Sequence, residues 1–556
     1  MNIKFIKKLK RASLAVFFLS AALVSAQEIQ PEEKTEEVQN SRNIQETEQN
    51  NEESENPKKK EEDELQKNFV IIESAHNFNL NPQTANYSAE AQILTGLYEG
   101  LFSYDPITLD PVYAIATSHR LSRDKKRWTF VLREDAKFSD GLPITAQDVK
   151  DSWLSLIANP NAPFASLFDI VKGAKEFRTK KGSAENVGIY AIDEHTISVR
   201  LNAPAAHLPK LLCMPTFSVT GKELSLFSGP FVLAERTPFS IILKRNENYY
   251  DAKNTKLAQI TILLSDDPEE NTYAFNSGAA DWIASSFEEK KLISQDSIHL
   301  CAEFATQYFF FKFQKNSLWN NADLRRALLE AVPWNELRAN TYVPAQSLVY
   351  ALNGYPNVEG YVFSDESEAK FLMKEARKTL SVSEEEKLKL TFAIPANDYM
   401  KNKAELLKKA WEPLGVELEI AKIPDSEYLN SIKNSNAELF SYTWIGDFAD
   451  PLAFLELFRG NSTMNESGWK NEEFDSLLDE AALHTDENHN KILAKAEQLL
   501  LDEALILPIQ HPVSVNIIDL NAVGGWSINA FDIHPLKYLF KRETKPNIPN
   551  IVMITK

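Results

Sequence analysis

The chain has 556 residues, of which 43% are hydrophobic and 10% aromatic, so it can build a large core and is not a wholly disordered chain. Its formal net charge of −19 argues against a nucleic-acid binder, because neutralising phosphates needs a surplus of Lys and Arg. With 2 cysteines the chain is neither a disulfide-built scaffold nor a cysteine-rich metal domain. At about 150 residues per domain, its length predicts three or four domains, or fewer large lobes.

The N-terminal residues are typical of an export signal. Basic residues at positions 4, 7, 8, 10 and 11 precede an apolar run of 13 residues, Ala12–Val24. That run is too short to cross about 30 Å of hydrocarbon as a helix. Val24-Ser25-Ala26 resembles a cleavage site, and no cysteine lies nearby to carry a lipid anchor. We therefore expect residues 1–26 to be removed and the mature protein to be soluble and periplasmic, with an uncleaved membrane anchor as the alternative.

Residues 27–68 form an acidic leader. They include 14 acidic and 6 basic residues and almost no large apolar ones. Such a segment cannot bury enough apolar surface to offset its ordering entropy, so we predict that it is disordered. A plain solvated tail and a functional tether are both open interpretations of this leader.

Strand and helix patterns alternate in the first half of the body. Phe69–Glu73 is an apolar run typical of a buried strand, and Glu90–Phe102 has a helical pattern. The alternation of apolar and polar residues over Arg127–Arg133 predicts a half-buried strand. Thr145 with Asp148 three residues later is a capping-box pattern, which predicts that a helix begins there.

The second half adds a hairpin and longer helices. Phe231–Leu233 and Ile241–Arg245 predict the two strands of the hairpin. Leu388–Ile394, a helix over Lys403–Trp411 and a strand over Gly415–Ile420 together predict a βαβ unit. Further helices are predicted over Leu324–Val332, Asp475–Leu483 and Ile492–Leu500. The body is therefore expected to be mixed α/β, and no linker divides it into independent domains.

Motifs of the common enzyme classes are absent from the sequence. There is no glycine-rich phosphate loop, no H-E-x-x-H and no G-x-S-x-G, which lowers the expectation of an enzyme. We predict no cofactor and no metal site. His484 and His489 are predicted to be scattered surface histidines. Cys213 and Cys301 could form one bridge or stay free and buried, because sequence cannot give their separation.

Five stretches of the chain match family patterns in the right order and at the right spacing. They are Leu80–Pro82 with Leu97–Phe102, Trp128–Gly141 with Thr145–Val149, Gly229–Phe231 with Leu243–Tyr250, Leu324–Leu328, and Trp444–Pro451. With these stretches the chain resembles the extracytoplasmic solute-binding proteins of the peptide/nickel class (family 5). The resemblance is closest to the periplasmic oligopeptide-binding proteins of ABC importers and covers essentially all of residues 69–556.

The resemblance implies an α/β fold, namely a two-lobed periplasmic-binding-protein clamp (type II, peptide-binding class) with an additional inserted domain. The implied order is lobe I at 69–98, inserted domain II at 99–206, lobe I again at 207–300, lobe II (domain III) at 301–509, and a return to lobe I with a tail at 510–556. In such a clamp the ligand is buried between the lobes when they close about a hinge.

A protein that binds many peptides must use what all peptides share, which is their backbone groups and their N-terminal ammonium. The resemblance assigns the ammonium to one acid, Asp447. It assigns the ligand backbone to two edges, with Thr443, Trp444 and Ile445 on one and Asn86, Tyr87 and Ser88 on the other. Several family members carry a bridged cysteine where this chain has Ile445, so that bridge is not available here.

Simpler interpretations of the same residues stay open. Asp447 could be a loop acid that bonds local backbone, and Trp444 could be part of the core. The segment 86–88 could be an ordinary loop. Asp450-Pro451 is predicted to be the N-cap and first-turn proline of the helix that follows.

The function implied by the resemblance is the peptide-capturing subunit of an ABC importer. Its expected partners are short peptides and the permease subunits in the inner membrane, and we expect a monomer that is not an enzyme. One alternative is the same fold holding a non-peptide solute such as a metal chelate, a sugar or a haem-like ligand. Another is a surface adhesin or a chaperone for exported proteins.

Overall fold

The computed structural model describes residues 68–85, 87–350, 352–462 and 464–542. The predicted signal and the acidic leader, apart from Asn68, lie outside these residues, as does Asn86 of the predicted backbone edge. Within the described part of the chain, no helix combines the length and the apolar character that crossing a bilayer would need.

The strands of the described residues are, in chain order, β1 (Asn68–Glu73), β2 (Phe102–Tyr104), β3 (Pro111–Tyr113), β4 (Ala116–Leu121), β5 (Arg127–Leu132), β6 (Ile189–Asp193), β7 (Thr196–Arg200), β8 (Phe231–Arg236), β9 (Ser240–Arg245), β10 (Gln259–Leu264), β11 (Trp282–Ala284), β12 (Ile298–Ala302), β13 (Ala305–Phe311), β14 (Val343–Pro344), β15 (Leu388–Pro395), β16 (Val416–Ile423), β17 (Leu439–Ile445), β18 (Ile506–His511), β19 (Val513–Ile518), β20 (Val523–Gly524) and β21 (Phe540–Lys541).

The α-helices of the same residues are α1 (Ser88–Leu97), α2 (Ala146–Ala158), α3 (Ala174–Arg178), α4 (Leu208–Leu211), α5 (Pro268–Asn276), α6 (Ala322–Glu330), α7 (Trp334–Leu337), α8 (Glu366–Thr379), α9 (Asp398–Trp411), α10 (Asp425–Asn434), α11 (Leu452–Leu455), α12 (Glu472–Ala481) and α13 (Glu487–Asp502).

Three larger sheets organise these elements. A seven-stranded sheet has the order β12-β19-β11-β1-β10-β9-β8, and a six-stranded sheet has the order β14-β18-β13-β17-β15-β16. A four-stranded antiparallel sheet has the order β4-β5-β7-β6. The boundaries of the lobes and of the inserted domain remain predictions.

The chain passes twice between the two largest sheets. It leaves the seven-stranded sheet after β12 and enters the six-stranded sheet at β13, so Glu303 and Phe304 form the first connection. It returns from β18 to β19 through Pro512 alone. The two connections lie side by side, because the Glu303 N–H donates to the Pro512 carbonyl at 2.8 Å. Two short adjacent connections are where one sheet can rotate against the other, so a hinge is expected here.

Several local predictions are confirmed. Strand β5 buries Trp128, Phe130 and Leu132 on one face. Helix α2 begins after Thr145, whose N–H donates to the Asp148 carboxylate at 2.8 Å, as a capping box requires. Strands β15 and β16, which precede and follow helix α9 in the chain, pair in parallel, so the predicted βαβ unit is also confirmed.

The predicted helix over 90–102 is wrong at both ends. Helix α1 begins two residues earlier, at Ser88, and ends at Leu97. Its end is followed by a close approach of two backbone segments at Gly100, where an added Cβ would lie 2.7 Å from the Leu212 carbonyl oxygen. The chain then enters strand β2 at Phe102. The apolar residues after Leu97 are therefore buried in a turn and a strand, and apolar periodicity alone does not separate these from a longer helix.

Candidate functional site

One side of strand β17 has no strand beside it at its C-terminal end. β17 pairs with β13 along its whole length, but with β15 only at Leu439 and Phe440. The Tyr428 hydroxyl occupies the open side at Ser441, accepting its N–H at 2.8 Å and contacting its C=O at 2.9 Å. Beyond Ser441, no strand of the described residues covers this edge.

The direction of the backbone groups at this edge follows from strand geometry. The N–H and C=O of one residue point to the same side of a strand, and neighbouring residues alternate. Because the groups of Ser441 point to the open side, those of Thr443 and Ile445 do so as well. The Gly446 N–H donates the other way, to the Phe304 carbonyl at 2.8 Å, which fits the alternation. Thr443 and Ile445 therefore present unpaired backbone groups, and both side chains are exposed.

Trp444 has a different place from its two neighbours. Its backbone lies in register with Thr306 of β13. Its indole Nε1 donates to the Ala453 carbonyl in helix α11 at 2.8 Å, and the half-buried ring stacks with Tyr442 at 6.3 Å between centroids. Trp444 thus fastens the strand to the helix that follows.

Asp447 lies two residues past the end of β17, directly after Gly446. An added Cβ at Gly446 would meet the Phe304 ring at 2.4 Å, so this position has no room for a side chain, and the loop is held against the hinge. The Asp447 side chain is partly buried, and no hydrogen bond or ion pair within the described residues reaches its carboxylate. Burial raises the pKa of Asp447 to about 6. A desolvated carboxylate without a partner is suited to receive a cation.

The second predicted edge belongs to the start of helix α1. Tyr87 is the N-cap residue, with an extended backbone and a side chain that is 64% exposed. Its N–H donates to the Glu90 carboxylate at 3.3 Å, and its C=O accepts the Ala91 N–H at 3.0 Å. Ser88 is the first helical residue. The backbone groups of Tyr87 therefore already serve the start of the helix.

The two predicted edges belong to different parts of the fold. Helix α1 buries Ile93, Leu94 and Leu97 in the core of the seven-stranded sheet, whereas Thr443 and Ile445 lie in the six-stranded sheet. Within the described residues, no hydrogen bond, ion pair or ring contact joins 87–88 to 443–447. The structure brings Asp447 together with Thr443 and Ile445, and it places Tyr87 and Ser88 in a different part of the fold, with no such contact to them within the described residues.

A second acid of the same loop, Asp450, has a buried ion pair that was not predicted from the sequence. Asp450 is fully buried, and its carboxylate contacts the Lys210 ammonium at 2.8 Å and the His489 Nε2 at 2.9 Å. The sequence predicts Asp450 as the N-cap and Pro451 as the first-turn proline, but Pro451 is the N-cap and the helix begins at Leu452. Asp450, one residue earlier, still accepts the Leu452 N–H at 3.0 Å. The prediction that His489 is a surface residue is wrong.

Sequence offered no signal for the partners of Asp450, because Lys210 is 240 positions away. The surroundings of Asp450 and Asp447 thus differ sharply within one short loop.

The two cysteines, Cys213 and Cys301, are both buried and free, which settles the open question in favour of unbridged thiols.

Comparison with known proteins supports the family resemblance found in the sequence. Residues 110–466 match the family described as bacterial extracellular solute-binding proteins, family 5 Middle. The oligopeptide-binding protein OppA of Bacillus subtilis is 27% identical over 480 residues, which cover 80% of this chain and 88% of that protein.

Solved structures show the same fold. The unliganded open form of the periplasmic murein tripeptide binding protein MppA covers 86% of this chain and 97% of its own, with 24% identity and a TM-score of 0.76. The Haemophilus influenzae OppA complex with the peptide RPPGFSPFR covers 86% and 99%, with 22% identity and a TM-score of 0.61. The predicted fold, a two-lobed type II α/β clamp with an additional domain, is therefore confirmed.

Proposed function

The chain belongs to family 5 of the bacterial extracellular solute-binding proteins, and from that premise we propose that it captures short peptides between its two lobes. In this proposal the ligand is held by its backbone and by its N-terminal ammonium. It is then delivered to the permease of an ABC importer. The relatives named for oligopeptide binding support the choice of peptides over other solutes.

The observation that carries the proposal is the position of Asp447 relative to the open edge of β17. An extended peptide can add to this edge as a strand and pair with the free groups of Thr443 and Ile445. Asp447 lies just beyond the end of the same edge, where the first residue of such a peptide would place its ammonium. Contact with a desolvated carboxylate makes that hydrogen bond charge-assisted and strong.

This arrangement also fixes the direction of the ligand. Because Asp447 follows the C-terminal end of β17, a peptide with its ammonium there runs antiparallel to β17. Its successive side chains then point alternately to the two faces of the edge. Selectivity for sequence would be low, since the main interactions use groups that every peptide has.

The second edge would close over the ligand from the other lobe. Tyr87 and Ser88 stand at the start of helix α1, where the Tyr87 ring is exposed. Closure about the hinge at 303–304 and 512 would bring them towards the peptide. Asn86 of this edge lies outside the described residues and stays a prediction.

The remaining parts of the proposal concern location and partners. We place the protein in the periplasm as a soluble monomer, not an enzyme, which meets the permease subunits at the inner membrane. These assignments rest on the export pattern at residues 1–26 and on the named relatives.

The proposal is tested by pairs of tetrapeptides that differ only in N-terminal acetylation, titrated into the purified protein by calorimetry. We expect the free amine to bind about 10- to 100-fold more tightly than its acetylated twin, the value of one charge-assisted hydrogen bond. Asp447→Asn should abolish this preference, while the control Asp296→Asn, an exposed acid on the other large sheet's side, should keep it. Equal affinity of the wild type for both twins would contradict the ammonium assignment.

Backbone pairing has its own test. Peptides methylated at one amide nitrogen at a time should lose affinity at alternate positions, because only every second amide faces β17. A uniform response along the peptide would argue against strand addition. Mass spectrometry of the purified protein identifies the ligand that it carries. A haem-like ligand, a metal chelate or a sugar in place of peptides would favour a non-peptide solute. Binding of unfolded proteins but not of short peptides would favour a chaperone.

A further inference from the structure

The loop that carries Asp447 is gripped by a short segment from elsewhere in the chain. Helix α4 places Lys210 against Asp450, at 2.8 Å between the ammonium and the carboxylate. Asp450 is fully buried, and the Lys210 side chain is 20% exposed, so solvent screens this ion pair little. The His489 Nε2 of helix α13 contacts the same carboxylate at 2.9 Å.

A ring contact beside the ion pair supports the same grip, three residues before Lys210 and two residues before Asp450. The His207 ring stacks on Phe448, with 5.3 Å between centroids and 24° between planes, and both side chains are buried. His207 and Lys210 are three residues apart, so they lie on the same side of the α4 turn. Burial lowers the pKa of His207 to about 4, so at neutral pH its contact with Phe448 is an uncharged stack.

The grip joins two different parts of the fold. Helix α4 follows strand β7 of the four-stranded sheet, and Cys213, just after α4, donates its thiol to the Ser103 carbonyl of β2 at 3.5 Å. The gripped residues, Phe448 and Asp450, belong to the loop that leaves β17 of the six-stranded sheet. The contact therefore runs from the segment that follows the four-stranded sheet to the loop that leaves β17.

The loop is thus held on both sides of Asp447. At its start, the Gly446 N–H is bound to Phe304 of the hinge. At its end, Asp450 is bound to Lys210 and His489. Asp447 lies between these two anchor points and has no partner within the described residues. Movement of either anchor displaces the carboxylate that is meant to meet the ligand.

We propose that Lys210 and His207 are positioning residues for Asp447, which hold the ammonium-binding loop from across the fold so that its carboxylate is aligned before the ligand arrives. This inference rests on the proposed binding of the peptide ammonium by Asp447. Neither residue touches the ligand. Their effect is expected in the preference for a free amine over an acetylated terminus, since that preference depends on where Asp447 stands.

The test compares Lys210→Met with a matched control elsewhere in the fold. Lys537→Met removes a lysine from another buried ion pair, in which the ammonium lies 3.1 Å from Glu99 and the side chains are 9% and 5% exposed. Both variants are titrated with the free-amine and acetylated twins. In Lys210→Met we expect the free-amine preference to fall by about tenfold, because a displaced carboxylate loses most of a charge-assisted hydrogen bond. In Lys537→Met we expect the preference to stay at the wild-type value.

A double variant separates positioning from stability. Lys210→Met alone leaves the buried Asp450 short of one cation, which destabilises the fold. Lys210→Met with Asp450→Asn removes the uncompensated charge, so thermal stability should recover. The free-amine preference should remain low, because the tie across the fold is still missing. Recovery of both properties together would show that the pair acts only through stability and would overturn the inference.

The outcomes also distinguish this inference from the proposed function. A wild type that binds both twins equally has no ammonium preference, which overturns the proposed function and the inference together. A wild type that prefers the free amine, with a Lys210→Met variant that keeps the full preference, overturns the inference alone. His207→Leu gives an independent measurement, since it removes the stack on Phe448 without changing the charge beside Asp450, and it too should reduce the preference.

Discussion

Asp447 and Asp450 lie three residues apart in one loop and have opposite surroundings. Asp450 is fully buried between Lys210 and His489; burial acts to raise its pKa, but these two partners outweigh burial and hold it far below its ordinary value. Asp447 has no such partner in the described residues, and burial raises its pKa to about 6. One acid therefore serves the fold, while the other is left available for a ligand.

The pH dependence of binding follows from the pKa of Asp447. The free protein must lose a proton from Asp447 before it can pair with an ammonium, so affinity should fall about tenfold per pH unit below pH 6. Affinity should fall again above about pH 8, where the peptide amine loses its proton. Calorimetry from pH 4.5 to 9 should give a bell-shaped profile for a free-amine tetrapeptide. In Asp447→Asn the acid limb should disappear; an unchanged acid limb in that variant would assign the titration to another group.

The stability of the unliganded protein should rise when Asp447 is neutralised. Its pKa is raised from 3.8 to about 6, so the folded state favours the protonated form. The resulting stability is present below pH 4 and is lost as pH rises through 6. Asp447→Asn should therefore increase the free energy of unfolding by about 3 kcal/mol at pH 7.5. Urea unfolding at pH 7.5 and at pH 4 measures this, and a gain of equal size at both values would rule out ionisation as its source.

The capping box of helix α2 gives a prediction that does not depend on function. The Thr145 hydroxyl and N–H both donate to the Asp148 carboxylate, at 2.6 and 2.8 Å. Thr145→Ala should cost about 1 kcal/mol of stability. Ligand affinity should not change, because the helix lies outside the proposed site. Thr145→Ser keeps the hydroxyl and should retain most of the stability in the same urea titration, whereas a loss as large as that of Ala would show that the cap is not responsible.

Elements with strong local signals could be predicted from sequence. The capping box at Thr145 and the alternation through Trp128 and Phe130 depend on residues within a few positions of one another, and the structure has both. The fold class could also be predicted, because five stretches match the patterns of one family in the right order and the members of that family share a fold. Helix α1 was placed less well, because the run after Leu97 is apolar for reasons of burial and not of helical periodicity.

In the candidate site, too, the residues of one local motif could be predicted and the contacts between distant segments could not. Asp447 and the strand before it share one motif, so sequence could put them together. The partners of Asp450 come from helices α4 and α13, and no local pattern marks Lys210 or His489 as buried. The open side of β17 also depends on where β15 ends, which is a property of sheet pairing. Contacts between distant segments are the part of the site that only the structure supplies.

Gly446 provides the last prediction, since it joins the hinge to the binding loop. An added Cβ would lie 2.4 Å from the Phe304 ring, closer than a methyl group can approach, and 3.0 Å from Phe454, which is a tight contact. Gly446→Ala should therefore cost about 1 to 3 kcal/mol of stability and displace the loop. We expect the free-amine preference to fall as well, because Asp447 is the next residue. Phe304→Leu should relieve the clash, so the double variant should recover both properties relative to Gly446→Ala. A Gly446→Ala protein with wild-type stability and preference would show that the loop is not held by this contact.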